Sequence, residues 1–129
     1  MITEQQISAM SSVAWATRDR ARVLGPTRVG VAVLASSGQI FGGCNLEHRY
    51  RSHDVHAEVA GIAGLVAGGF REFSAILVAA ERDHFTPCGA CLDWIFEVGG
   101  PDALVLVQSS EDGAVAAYAA RDLMPEYPR

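Results

Sequence analysis

Apolar residues recur along the first part of the chain with the period of a helix. Between Ile7 and Arg22 they return every three or four positions, which predicts a helix with one buried face. Thr3 followed by Gln6 has the spacing of a capping box ahead of this segment. Gly25-Pro26 then breaks the helical pattern.

Runs of β-branched and apolar residues replace the helical period after this point. Val29 to Ala35 and Gln39 to Cys44 flank the turn residues Ser36-Ser37-Gly38, so the pair predicts a β-hairpin. The next stretch, Asn45 to Val55, is polar and long for a connection. Long ordered loops in small domains are often binding loops, so we expect a ligand near this segment.

The second half of the chain alternates between helix and strand patterns. His56 to Ala67 has the spacing of a buried helix that Gly68-Gly69 closes, and Ser74 to Ala80 is typical of a central strand. The remaining segments are a helix at Cys88 to Val98, strands at Leu104 to Gln108 and Ala114 to Ala117, and a helical turn at Arg121 to Met124. This order predicts an α/β fold with a five-stranded mixed sheet and helices on both faces.

Composition and charge narrow the class of protein. The 129 residues are 50% hydrophobic and 19% charged, so we expect a single domain over residues 1–129 with a substantial core. The sequence has no apolar run long enough to cross a bilayer and no signal-peptide pattern at its start, which predicts a cytoplasmic protein without a membrane partner. The net charge of −5 argues against a nucleic-acid partner and favours a small neutral or cationic substrate.

The cysteine pattern indicates metal or redox chemistry. Three cysteines cannot all pair with one another, and Cys88 and Cys91 follow Pro87 in a Pro-Cys-x-x-Cys run. On spacing alone this run fits a redox pair or half of a structural zinc site as well as a catalytic site. A catalytic zinc usually takes three protein ligands, and His56 is the candidate for the third. Glu58, two residues on, is then the candidate proton shuttle for a water that zinc activates.

The spacing of these residues imposes a requirement on the helices. Residues two apart diverge inside a helix, so His56 and Glu58 can face one site only in its first turn. We therefore expect helices to begin at His56 and at Cys88. Helix N-termini also favour the thiolate forms of Cys88 and Cys91.

Three segments together resemble a known family. His-x-Glu followed by Pro-Cys-x-x-Cys, present here as His56-Ala57-Glu58 and Pro87-Cys88-Gly89-Ala90-Cys91, is the signature of zinc-dependent nucleobase deaminases. With Phe41-Gly42-Gly43-Cys44-Asn45-Leu46-Glu47 and the ending Asp122-Leu123-Met124-Pro125, the chain resembles the small cytidine deaminases over most of its length. The resemblance implies a three-layer α/β/α fold, a Zn²⁺ cofactor and hydrolysis of cytidine, deoxycytidine or a close aminopyrimidine nucleoside to the uridine form. It also implies a role in pyrimidine salvage and a homo-oligomer, a tetramer or else a dimer, with shared active sites.

The resemblance further implies roles for individual residues. The implied zinc ligands are His56, Cys88 and Cys91, with Glu58 as the proton shuttle. The implied substrate contacts are Asn45 and Glu47 to the ribose, Ala57 to the base through its backbone, and Phe41. Without the resemblance, Asn45 and Glu47 are equally well explained as residues that stabilise the loop.

Four features depart from the usual small members of this family. His56 stands in place of a third cysteine and Leu92 in place of an arginine, and the two changes balance in charge because two thiolates and a neutral imidazole neutralise Zn²⁺. Gly25-Pro26-Thr27 replaces an aromatic segment of the base pocket. His48-Arg49-Tyr50-Arg51-Ser52-His53 replaces a small neutral loop and is expected to form a cationic rim. These last two features favour a different substrate, a modified cytosine nucleoside of the blasticidin S type or another aminated heterocycle.

The sequence alone leaves the roles of several residues open. Arg49 and Arg51 are either solvated charges or contacts to substrate or to a neighbouring subunit. Trp94 belongs either to the core or to a subunit contact. A structural zinc module without catalysis is the non-enzymatic interpretation, and editing of nucleic acid is disfavoured by the acidic balance.

Overall fold

Five strands form one mixed sheet in the computed structural model, which describes residues 1–127. The helices are α1 (Glu4–Arg18), α2 (Ala57–Ala67), α3 (Gly89–Gly99) and α4 (Ala120–Leu123), with a 3₁₀ turn at Arg51–His53. The strands are β1 (Gly30–Ala35), β2 (Ile40–Cys44), β3 (Phe73–Ala79), β4 (Leu104–Gln108) and β5 (Val115–Ala119). Their order across the sheet is β2-β1-β3-β4-β5; β3 and β4 run parallel, and the other neighbours are antiparallel. The predicted element order and mixed sheet are confirmed.

Helices cover both faces of the sheet. One core lies between α1 and the sheet and includes Met10, Trp15, Leu34 and Leu77. The other lies between α2, α3 and the opposite face and includes Leu65, Ile95, Val33 and Ile76. The central strands β1 and β3 are buried on both faces, as the apolar sequence of β3 predicts. The three-layer α/β/α architecture is confirmed, and no helix within residues 1–127 is both long and apolar enough to span a membrane.

Helix α1 lies earlier in the chain than predicted. It begins directly after Thr3, whose hydroxyl accepts from the Gln6 N–H while the Gln6 side chain accepts from the Thr3 N–H, each at 3.0 Å. It ends at Arg18 and not at Arg22, because Arg22 forms a β-bridge with Leu46. The bounds of the other elements differ from the predicted ones by at most two residues.

A buried glutamine fixes α1 to the sheet. Gln108 at the end of β4 accepts hydrogen bonds from the Trp15 indole and the Ser11 hydroxyl, each 2.7 Å long. Its amide nitrogen donates to the Gly113 carbonyl at 2.9 Å. Each polar atom of this buried side chain therefore has a partner, which sets the position of α1 over the sheet.

Helix α2 packs unusually close to the sheet through glycine. A methyl group on Gly61 would lie 2.6 Å from the Val31 side chain and 2.9 Å from the Val33 side chain, too close for any packed core. One turn on, a methyl group on Gly64 would meet its nearest neighbour, the Gly42 carbonyl, at an ordinary 3.9 Å. The glycine at position 61 thus sets the distance between α2 and the sheet, and with it the position of the first turn of α2.

Candidate active site

Two helices begin at residues whose side chains do not cap the helix. His56 is the N-cap residue of α2 and Cys88 that of α3, and neither side chain bonds to its own helix. Their carbonyls accept the first helical bonds, from Ala60 at 3.0 Å and from Leu92 at 2.8 Å. Ser, Thr, Asp or Asn at such positions would direct the side chain back to the helix. Imidazole and thiol are instead available to a ligand, and both helices begin where the sequence requires.

The imidazole and the two sulfurs converge on one point. His56 Nδ1 lies 3.3 Å from Cys91 Sγ and 3.4 Å from Cys88 Sγ, and all three ligand atoms lie within 4.8 Å of one another. A tetrahedral zinc with bonds of about 2.0–2.3 Å would have edges of about 3.5–3.8 Å between such ligands. The donor set and its spacing therefore fit Zn²⁺ bound through two sulfurs and Nδ1.

The three members of this cluster differ in exposure. His56 and Cys88 are exposed, whereas Cys91, at the third position of α3, is buried. Burial raises the pKa of the Cys91 thiol far above its usual range, and the nearby Glu58 and Cys88 raise it further. A divalent cation reverses this effect because it stabilises the thiolate directly.

Glu58 lies at the same wall, in the first turn of α2. Glu58 is only 5% exposed, and its carboxyl is hydrogen-bonded to the Cys91 thiol. Burial raises the pKa of Glu58, and its own backbone N–H, the charge of His56 and the bond to Cys91 lower it in part. A carboxyl with a raised pKa beside a metal cluster is suited to carry protons near neutral pH.

A cavity of about 250 Å³ opens onto this wall. Its lining includes the predicted residues Asn45, Glu47, His56, Ala57, Glu58 and Cys88. The volume lies just below the range of about 300–1,000 Å³ typical of small-molecule sites. It suits one small molecule or one base.

Asn45 is buried between the cavity and the start of β1. Its side-chain oxygen accepts from the Val29 N–H and its amide nitrogen donates to the Thr27 carbonyl, both at 2.9 Å. The residue is 8% exposed. The loop-stabilising role of Asn45 is therefore present in the structure, and one lone pair and one N–H remain for a ligand.

Glu47 is anchored in a similar way. One carboxylate oxygen accepts from the Leu24 N–H at 2.7 Å and from the Gly25 N–H at 2.9 Å. These two bonds, that of Gly25 first, lower the pKa of Glu47, with a smaller contribution from Arg51. Glu47 therefore stays ionised near neutral pH, and its second oxygen lies 3.2 Å from Nη2 of Arg51.

Arg51 closes the same wall between two carboxylates. Its Nε donates to Asp54 Oδ2 at 2.8 Å, and its Nη2 lies 3.2 Å from Glu47 Oε2. The His48 N–H and Arg51 both lower the pKa of Asp54. The expectation of a cationic rim is wrong at Arg51, because its charge faces two carboxylates that the sequence pattern did not place beside it.

The outer side of this loop is aromatic. The His48 ring stacks on Tyr50 and on His53, with centroids 5.5 and 4.8 Å apart. All three side chains are exposed, and none of them lines the cavity. Of the predicted rim residues, Arg51 alone lines it among the residues the structure describes.

Phe41 is the predicted substrate contact that the structure does not bring to this cavity. It packs against Phe70 with ring centroids 5.6 Å apart, beside Gly68 at the C-terminal end of α2. The cavity lies at the other end of that helix, about 16 Å away at 1.5 Å per residue. Within one chain, Phe41 is a half-buried residue that packs against the core.

Several lining residues were not predicted. Phe85 supplies an aromatic wall, and Thr86, Asp54, Val29 and Val55 complete the surface. Phe85 stands two positions before Pro87-Cys88, so its place next to the ligand motif was the available signal. Thr27 lines the cavity where the resemblance implied a lost aromatic, and Phe85 provides one from a different segment.

Fold and site together define the class. A three-layer α/β/α domain with a buried glutamate beside a His-Cys-Cys cluster is the arrangement typical of zinc-dependent deaminases. The family model for the cytidine and deoxycytidylate deaminase zinc-binding region matches residues 4–108. The chain belongs to this family.

Individual relatives agree with this assignment. The chain is 39% identical over 74 residues to a probable cytidine deaminase of Dictyostelium discoideum. The aligned region is 56% of this chain and 50% of the relative. It is 40% identical over 70 residues to a cytidine deaminase of Sporosarcina psychrophila, covering 54% and 52%. These matches span about half the length of both curated relatives. A solved cytidine deaminase from Burkholderia pseudomallei superposes with a TM-score of 0.84 at 30% identity, over 97% of this chain and 98% of that one.

Proposed function

We propose that this protein hydrolytically deaminates cytidine, 2′-deoxycytidine or a close aminopyrimidine nucleoside to the uridine form with release of ammonia. The observation that carries the proposal is the position of Glu58. This buried carboxyl is hydrogen-bonded to Cys91 and lines the same cavity as His56 and Cys88. A structural zinc site has no need of an ionisable group at that place, and a deaminase requires one.

Hydrolytic deamination requires a metal ion that activates water and a group that carries protons. His56, Cys88 and Cys91 would hold Zn²⁺, which when bound supplies Lewis-acid activation of water near neutral pH. Glu58 accepts the proton that the attacking water gives up and delivers it to the ring nitrogen of the cytosine. It then helps to protonate the departing amino group, which leaves as ammonia, and a carbonyl remains on the ring.

The remaining lining residues orient the nucleoside in this proposal. Asn45 donates and accepts hydrogen bonds at the ribose through the N–H and lone pair that the loop leaves free, and Glu47 accepts one at its second oxygen, beside Arg51. The backbone of Ala57, next to the metal cluster, contacts the base. Phe85 offers a flat apolar surface against which the pyrimidine can pack.

The direct test is turnover by the zinc-loaded protein. Cytidine, 2′-deoxycytidine and other aminopyrimidine nucleosides are supplied separately, and loss of the cytosine absorbance is followed together with ammonia release. We expect turnover of at least one member, its loss after chelation and its return on adding Zn²⁺. No turnover of any member by protein that contains zinc would contradict the proposal.

A second candidate substrate follows from the pocket lining. Thr27 gives the cavity a small polar wall where an aromatic was expected, which leaves space for a substituted base. A modified cytosine nucleoside of the blasticidin S type, or another aminated heterocycle, is therefore the second candidate. Ranking substrates by kcat/KM separates the two candidates. Cytidine as the best substrate by a clear margin would reject the second.

Assembly, location and pathway are further parts of the proposal. We expect a homo-oligomer, a tetramer or else a dimer, because Trp94 on α3 is 50% exposed and large exposed aromatics are enriched at subunit contacts. Light scattering after gel filtration measures the mass of the assembly, and the W94E substitution should reduce that mass.

A cytoplasmic location and a role in pyrimidine salvage rest on the family alone.

A further inference from the structure

Arg51 is the cation of the cavity wall, and the mechanism proposed above leaves it without a role. The residue lines the cavity, yet its side chain is 58% exposed and therefore accessible to a ligand. Its position is set by Asp54 on one side and Glu47 on the other, at 2.8 and 3.2 Å. Glu47 is in turn fixed by the backbone of Leu24 and Gly25. The guanidinium is thus held in one orientation at the cavity.

A count of donors shows what this orientation leaves available. A guanidinium has five N–H bonds in a fixed fork. Within residues 1–127, its polar partners are Glu47 and Asp54, which leaves further N–H bonds for a ligand. The second oxygen of Glu47 lies directly beside these donors. Arg51 and Glu47 therefore present a donor and an acceptor next to each other.

The charges around Arg51 and Glu47 favour a neutral ligand. One guanidinium already faces two carboxylates, so an added phosphate would meet a wall whose own charges sum to a negative value. A hydroxyl group carries no charge and can both accept from Arg51 and donate to Glu47. The pair is therefore complementary to sugar hydroxyls and not to a phosphate.

We propose that Arg51 is a specificity-determining residue that, together with Glu47, recognises the hydroxyl groups of the substrate sugar and disfavours a 5′-phosphate. This inference rests on the proposed deaminase function, and it assigns a task to a residue of the loop that departs most from the small cytidine deaminases. Arg51 would act on affinity and substrate choice, since it lies on the loop and not among the proton-carrying groups.

The test compares substrates that differ only in the sugar. Zinc-loaded wild type, R51A, R51K and R49A are assayed with cytidine, 2′,3′-dideoxycytidine and cytidine 5′-monophosphate. We expect R51A to raise KM for cytidine about 10- to 100-fold while kcat changes less than about threefold, as for loss of a charged hydrogen bond made in ground and transition state alike. KM for dideoxycytidine should change less than KM for cytidine, because this nucleoside lacks the 2′- and 3′-hydroxyls and keeps only the 5′-hydroxyl. R51K should recover part of the loss.

Arg49 provides the matched control. It is an exposed arginine two positions away that does not line the cavity, so R49A should behave as wild type on all three substrates. Equal losses on cytidine and dideoxycytidine in both Arg51 variants would show that Arg51 only holds the loop, and would overturn the inference. A wild-type preference for the 5′-monophosphate over cytidine would overturn it as well.

Binding separates this inference from the proposed function. Equilibrium dialysis with radiolabelled uridine, the product of the reaction, needs no turnover. Weaker binding by R51A with unchanged binding by R49A supports the role of Arg51 even if no deamination is detected. Equal binding by wild type and R51A, or no binding by wild type, overturns it.

Discussion

The two ends of the cavity are built on opposite plans. At the metal end, His56 and Cys88 are N-cap residues, and their side chains make no hydrogen bond to their own helices. At the loop end, Asn45 and Glu47 bond to the backbone of segments about 20 residues earlier in the chain. The side chains at the metal end are therefore available to a ligand. The side chains at the loop end both stabilise the fold and line the cavity. Substitutions at the first should separate activity from stability, and substitutions at the second should not.

The largest effect is expected at the buried metal ligand. C91A removes one of three donors, so we expect bound zinc to fall from about one ion per chain to less than about 0.1 and activity to vanish. Elemental analysis after desalting measures the metal. C44A is the matched control, because Cys44 lies outside the cluster at the end of β2. Full zinc retention by C91A would remove Cys91 from the ligand set.

The next largest effect separates an enzyme from a structural zinc site. E58Q keeps the size and polarity of the side chain but cannot carry a proton, so turnover should fall about 10²- to 10⁴-fold. Zinc content and the thermal midpoint should stay at the wild-type values. E97Q, on the exposed side of α3, is the control for loss of one acidic charge. Unchanged turnover in E58Q would refute the proton-carrying role.

At the loop end, activity and stability should fall together. N45A leaves the Val29 N–H and the Thr27 carbonyl without their partner, which costs about 1–3 kcal/mol in the free energy of unfolding. Urea denaturation of the zinc-loaded protein measures the loss, and KM should rise in the same variant. N45D keeps the acceptor for Val29 and should fall between N45A and wild type. A stable N45A with raised KM would mean that Asn45 serves the ligand alone.

The smallest effect tests how α2 is positioned. G61A pushes a methyl group against Val31 and Val33 and should cost about 1–3 kcal/mol of stability. G64A, one turn away on the same helix, meets no close atom and should stabilise by about 0.5–1 kcal/mol through helix propensity. Thermal unfolding of both variants measures the difference. Equal effects would show that the close approach at Gly61 does not set the helix position.

The metal end could be predicted from sequence because its chemistry fixes residue types at fixed spacing. Cys88 and Cys91 must lie one helical turn apart, and His56 and Glu58 share a site only at a helix start. Both conditions are visible in the chain itself. The apolar run of β3 likewise predicts a strand that is buried on both faces.

The loop end could not be predicted because its contacts join distant segments. Nothing in the sequence pairs Glu47 with the amides of Leu24 and Gly25, or selects Arg51 over Arg49 as the arginine that faces the cavity. The position of Phe41 escapes prediction for the same reason: its motif indicates the site, but the register of β2 puts it at the far end of α2. These arrangements depend on tertiary contacts, which local sequence patterns do not encode.

The two tryptophans of the chain differ in exposure, because the hydrogen bond to Gln108 holds Trp15 in the core. Trp15 is 4% exposed and held in the core, while Trp94 is 50% exposed on α3. In the separated subunit, acrylamide should quench the Trp94 emission and leave that of Trp15 until the chain unfolds. Protection of Trp94 from acrylamide would report the proposed subunit association, and the Trp15 emission would report integrity of the fold.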